Sequence, residues 1–130
     1  MSIAKNPPAK SFRDLRVWNA AIQLVKEIYG VTQGFPSSEL YGLTSQMRRA
    51  AVSIPSNIAE GYTREHRKEY LQFLAIAQAS LAELDTHLEI AQQLGFVRDK
   101  DLSAVTGSKI KVGKQLRSLR KALADRYRFK

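Results

Sequence analysis

The chain has 130 residues, 44% of them hydrophobic and 25% charged, with a formal net charge of +9 and no cysteine. That length fits one domain with one substantial core, no apolar run approaches the roughly 20 residues of a membrane span, and the lack of thiols excludes disulfides, thiolate metal sites and cysteine nucleophiles. The charge is uneven: residues 1–97 carry ten Lys/Arg against nine Asp/Glu, and residues 98–130 carry eleven against three, an asymmetry that points to a polyanionic partner.

The opening MSIAKNPPAK has lysines and prolines but no apolar signal-peptide core, so residues 1–10 read as a disordered tail ahead of a domain over 11–130, and the chain reads as cytoplasmic. Ser11 before FRDL is placed to cap a first helix over 12–33, with Asp14 in its first turn. Leu15, Trp18, Ile22, Val25 and Tyr29 recur at steps of three and four, one helical face, so Trp18 is expected in the core. TQGFPSS breaks that helix, and Ser37 or Ser38 can cap a second over 38–61 carrying Leu40, Leu43, Met47, Ala50, Ile54 and Ile58. The third, over 65–94, is the most regular: Leu74, Ala77, Leu81, Leu84, Leu88 and Ala91 make a heptad-type seam that Gly95 closes. The fourth, over 100–126, carries Leu102, Val105, Val112, Leu116, Leu119 and Leu123, with Tyr127 beyond, on one stripe, weakened locally by Gly107 and Gly113. No segment has the period of two of a half-buried strand. The pattern predicts an all-α fold, an antiparallel up-and-down four-helix bundle.

The stretch SIPSNIAEG keeps its apolar period straight through Pro55, which removes the bond to the Ala51 carbonyl and should kink the helix without ending it. Beside the apolar stripe, Gln46, Arg49, Ser53, Asn57 and Glu60 share an arc of about 80°. One reading is a solvent face. The other is a partly buried hydrogen-bonding seam, with Arg49 near Glu60 or with Ser80, Glu83 and His87 of the third helix, which lies between subunits if the chain assembles.

FRDLRVWNAAIQLV, LYGLTSQMRRAAVSIPSNIAEGYTR, EYLQFLAIAQASLAELDTHL and AQQLGF, in that order over residues 11–97, resemble the four-helix-bundle family of 23S rRNA-intervening sequence proteins, which is similar in turn to the accessory variability determinant of diversity-generating retroelements. SQMRRAAVSIPSNIAEG is the most specific block; Ala79 departs from the family pattern, where a glycine is expected. The resemblance implies an all-helical protomer, a ring-shaped homopentamer, a bacterial origin and, for the retroelement relatives, binding to nucleic acid and a reverse transcriptase. It supplies no mechanism.

Enzyme chemistry finds little support. A di-iron bundle needs Glu-x-x-His on two helices, and the chain has none; Glu83 and His87, four apart, are two ligands only. His66 belongs to a charged turn. Ser53 and Ser56 lack an elbow motif, and there is no P-loop. Tyr41 and Tyr62 lie off the main stripes, positions that suit stacking on a base or burial at a subunit contact. The positive signal is the fourth helix. Lys100, Lys111, Lys114, Arg117, Lys121 and Arg128 project within an arc of about 120° away from Leu116 and Leu123, with no acid between Lys111 and Lys121. A solubilising face normally interleaves acids, and a nucleic-acid backbone suits an uninterrupted one, since each neutralised phosphate releases counterions. Lipid binding would need the apolar face that the bundle uses.

The expected protein is therefore a non-enzymatic, oligomeric bundle without cofactor or metal that binds nucleic acid, RNA ahead of DNA, through Lys100, Lys111, Lys114, Arg117, Lys121 and Arg128. Gln46, Arg49, Ser53, Asn57 and Glu60 are the candidate subunit contact of a homopentamer, and a reverse transcriptase is a further partner by resemblance. The alternative is a protein-binding adaptor whose basic face meets an acidic partner; a membrane is not expected.

Overall fold

The computed structural model describes residues 10–128, and side chains through Asp125. The tail expected over 1–10 thus falls, apart from Lys10, outside the described residues, as do the side chains of Tyr127 and Arg128. Four helices follow one another, α1 (Arg16–Thr32), α2 (Leu43–Tyr62), α3 (Arg67–Gln93) and α4 (Asp99–Arg128), with no strand among the described residues. Each packs on two neighbours, α1 on α2 and α4, α3 on α2 and α4, while the diagonal pairs stay apart. This is the up-and-down bundle the four periodic segments predict.

The ends of the helices are set by local chemistry. Ser11 Oγ accepts from Arg13 N at 3.0 Å, but it caps only a 3-10 turn over Phe12–Asp14. Leu15 is extended, and Asn19 Nδ2 donates to the Arg13 and Leu15 carbonyls at 2.8 and 3.0 Å, tying that turn to α1. Neither Ser37 nor Ser38 caps α2. Both sit in a 3-10 turn after Pro36, and Glu39 Oε1 accepts from Leu43 N at 3.3 Å, so the helix begins five residues later than its sequence suggests. α2 runs through Pro55, whose ring is buried. Gly95 ends α3 as expected: at φ +79 it lets Phe96 N donate to Ala91 O and its own N to Gln92 O, a Schellman closure.

Met47, Ile54, Ile58, Leu74, Leu84, Leu88, Val105, Val112 and Leu116 are fully enclosed, as their stripes predict. α1 differs. Its core side is Val17, Ala21, Leu24 and Ile28, and the expected stripe lies on the flank: Trp18 is half-buried, its ring 5.3 Å from Phe12, and Tyr29 is exposed. Both stripes obey the helical period, so spacing cannot choose between them; the buried Ala20 and Ala21 lie on the core side.

The turn between α2 and α3 is fixed by a close approach. Gly61 is buried, and a Cβ at its position would fall 2.7 Å from Phe73 Cβ and 3.0 Å from Tyr70 Cδ1. Only glycine permits that spacing. Tyr62 meets Tyr70 edge to face, ring centres 6.1 Å apart, and burial, with the Tyr62 hydroxyl nearby second, pushes the Tyr70 phenol up to about 12.

Candidate nucleic-acid interface

α4 opens with Asp99 and Asp101 in its first turn, where carboxylates offset unpaired amide dipoles. Val105, Val112, Leu116 and Leu123 hold it on the core, and the helix continues through Gly107 and Gly113. With that stripe buried, the opposite side must face outward. Lys100, Lys111, Lys114, Arg117 and Lys121 are all exposed. None lies within ion-pair distance of a carboxylate among the described residues.

Two other cations of the same helix behave differently. Lys109 is paired with Asp85 of α3, and Arg120 Nη1 donates to Gln78 Oε1. Both lie on the α3 side, outside the arc, and they join the helices rather than offering charge. The arc itself is not uniform. Lys111, Lys114, Arg117 and Lys121 cluster over ten residues of helix, about 15 Å, whereas Lys100 stands about 16 Å further back, flanked by Asp99 and Asp101. The four clustered cations form the strong field, and Lys100 is an outlier. A groove of about 300 Å³ between α3 and α4, lined in part by Leu81, Lys109, Ile110 and Arg117, borders the cluster, and Ile110 is 53% exposed within it.

The polar stripe of α2 is divided. Ser53 Oγ and Ser80 Oγ are 2.8 Å apart, joining α2 to α3, and Asn57 Nδ2 donates to Ser53 O at 2.7 Å and to Ser53 Oγ at 2.9 Å. Gln46, Arg49 and Ser53 line a pocket of about 340 Å³ with Ala50 and Glu83. Glu60 does not reach Arg49; it pairs with Arg64, one turn on, at 3.8 Å, because the i,i+4 partner is nearer than one eleven residues back. Within the chain the seam is thus bonded to Ser80 of α3, and Glu83 of α3 lines the same pocket.

His87 is buried, its Nε2 3.9 Å from Glu83 Oε2 and its Nδ1 without a hydrogen-bond partner. No third His, Cys, Asp or Glu joins the pair among the described residues. Tyr41 is 94% exposed in the turn before α2, open to stacking, while Tyr62 is half-buried against Tyr70. The stripe reading of α1 missed a groove of about 400 Å³ on the outer side of α1 and α2, lined among others by Trp18, Ile22, Val25, Val52 and Pro55. The signal was present as a second apolar stripe on α1.

Comparison with known proteins bears on this geometry. The family model of the 23S rRNA-intervening sequence protein matches residues 13–118. A crystal structure from Bacteroides thetaiotaomicron, described as a protein of unknown function from the S23 ribosomal protein family, superposes with a TM-score of 0.74 at 19% identity, covering 81% of this chain and 98% of that one. At that identity the likeness is one of fold. No curated protein matches the sequence. No helix among the described residues is long and apolar enough to cross a membrane.

Proposed function

We propose that this chain, which belongs to the 23S rRNA-intervening sequence protein family, is a non-enzymatic nucleic-acid-binding bundle of the bacterial cytoplasm that grips the phosphate backbone of structured RNA with the outward arc of α4. One observation carries the reading: Lys111, Lys114, Arg117 and Lys121 are exposed together on one helix face with no carboxylate of the described residues paired to them. Four cations spread over about 15 Å of helix suit a row of phosphates. Lys100 lies at the edge of this surface, and Arg128 extends the sequence pattern.

Affinity then comes from counterion release, and base sequence matters little. RNA stands ahead of DNA on the family resemblance. The chain acts as a closed homo-oligomer, a pentamer by the same resemblance, so the arc repeats around the ring and weak contacts add as avidity. The retroelement likeness adds a reverse transcriptase as a protein partner for such a scaffold. Fluorescence anisotropy with a structured RNA, a single strand and a DNA duplex, each over a range of salt, tests the central point. Binding to all three that weakens steeply with salt supports it, and salt-independent or absent binding overturns it.

A second reading is favoured by the exposure of Ile110 beside the arc. An adaptor would place an acidic segment on the cations and an apolar residue in the α3–α4 groove. Ile110→Ala separates the two: it weakens an adaptor complex and leaves RNA affinity within about twofold, since phosphate contacts do not use it.

A further inference from the structure

Between Lys68 and Arg98 the sequence has no Lys or Arg, although the chain carries +9 overall. Glu69, Ile76, Glu83 and Ile90 stand seven residues apart through that stretch, so they line one side of α3 in a nearly straight stripe. Ile76 is 48% and Ile90 43% exposed. Neither glutamate is paired with a Lys or Arg among the described residues, the near neighbour of Glu83 being His87. Ser80, bonded across to Ser53, lies toward the α2 edge of the same side. The stripe is thus an outward face of isoleucine and carboxylate, about 21 Å between its two acids.

The groove on α1 and α2 has the opposite character. Trp18, Ile22 and Val25 of α1 and Val52, Pro55 and Ala59 of α2 line it, and Val52 is 40% exposed. A cation stands toward each end. Arg13, itself in the lining, lies over the Phe12 ring at 4.9 Å. Arg48 lies over the Tyr29 ring at 4.6 Å and donates to Thr32 Oγ1 at 2.8 Å. From Trp18 to Tyr29 the α1 wall runs about 16 Å. An apolar trough with a guanidinium toward each end complements in charge and length a stripe of isoleucine with glutamate on either side.

Both features belong to one chain but to different sides of it, the trough between α1 and α2, the stripe on α3. They cannot meet within a protomer. Trough against trough would oppose Arg13 and Arg48 to their own copies, and stripe against stripe would oppose Glu69 and Glu83 to theirs; like charges across an interface select against both pairings. We propose, resting on the closed-oligomer reading above, that each copy seats the Glu69–Ile76–Glu83–Ile90 stripe of its α3 in the α1–α2 trough of the next. This is a heterologous contact, the kind that closes a ring. It places the α2 pocket of Gln46, Arg49 and Ser53 at the margin of the interface, beside Glu83. α4 packs on α1 and α3 and not on α2, so a contact made on both sides of α2 leaves the outward arc of α4 open.

The test blocks one face at a time. Val52→Glu puts a carboxylate in the trough, and Ile76→Lys puts a cation on the stripe. Both positions are exposed, so circular dichroism should show parental helicity; Ile90→Lys replaces Ile76→Lys if that variant fails to fold. By light scattering at 50–100 µM (roughly the range where micromolar contacts are populated), each variant alone should be monomeric. A 1:1 mixture should associate, because the intact stripe of Val52→Glu meets the intact trough of Ile76→Lys. A parent that is oligomeric while Val52→Glu leaves its size unchanged overturns the assignment of faces alone, as does a mixture that stays monomeric. A parent that is monomeric throughout overturns the closed-oligomer reading and this contact with it. RNA affinity is not read in any arm, so failure of the nucleic-acid reading leaves the result intact.

Discussion

Ser53 on α2 and Lys114 on α4 are both polar residues on a helix with one buried apolar stripe, yet their surroundings differ. On the α2–α3 side, several polar groups are engaged inside the chain: Ser53 bonds Ser80, Asn57 bonds Ser53, and Glu60 pairs with Arg64. Gly61 brings the two helices so close that a methyl would collide with Phe73. Among the described cations of α4, those with partners lean toward α3, Lys109 and Arg120, and Lys111, Lys114, Arg117 and Lys121 are exposed. Polarity alone does not mark a binding surface. Polar groups that the fold leaves to solvent are the ones an external partner can engage, by exchange with water.

The largest test of that contrast is charge reversal on the arc. Lys114→Glu, Arg117→Glu and Lys121→Glu together should lower nucleic-acid affinity by at least about 100-fold at low salt. Helicity and oligomer size should not change, since Leu116 and Leu123 are untouched. Undiminished binding of the triple variant would move the function off α4.

On the other side, Gly61→Ala should cost about 1–3 kcal/mol by overpacking against Phe73 and Tyr70, read from urea unfolding. The folded fraction should bind RNA as the parent does. A neutral result would mean the α2–α3 turn yields more easily than its spacing indicates.

Ser53→Ala and Ser80→Ala should each destabilise by about 1 kcal/mol. The double variant should cost less than the two single costs combined, because either change already removes the shared bond. Full additivity would show that the two hydroxyls do not act together.

A finer test compares two lysines two residues apart. Lys111→Ala should weaken RNA binding about two- to threefold, and Lys109→Ala less, since Asp85 already holds Lys109; stability should change by under ~1 kcal/mol in either, as for surface pairs. Asp85→Asn, which releases Lys109, should strengthen binding slightly. Equal losses at 109 and 111 would remove the distinction between held and free cations.

A last effect is alkaline. The Tyr70 phenol, raised to about 12 by burial and then by Tyr62, favours the neutral form in the folded state. Its contribution to stability is full below pH 10 and is lost as the pH rises from 10 to 12. Tyr70→Phe should flatten the fall in stability over that window, followed by denaturant titration at several pH values.

How much of this was legible in the sequence depends on what each residue needs. Heptad spacing in α3, the Gly95 stop and the stripe of α4 are local matters of period and backbone freedom, so Leu74, Leu84, Leu88, Val105, Val112 and Leu116 were found in the core where the pattern puts them. The α4 arc followed for the same reason: once one side of a helix is buried, the other is exposed. Its division was not legible, because the engagement of Lys109 depends on Asp85, 24 residues away.

What the sequence by itself determined is the number of helices, their approximate extents, their order and the concentration of positive charge in the last one, all consequences of 3.6-residue periodicity and composition. Tertiary structure alone decided which of the two apolar stripes of α1 is core, that Glu60 turns to Arg64 and Ser53 to Ser80, and that an apolar trough remains outside. A periodic stripe states that a face is apolar; which neighbour covers it is fixed by how closely the helices can approach, and at Gly61 that is set by Phe73 and Tyr70 of another helix.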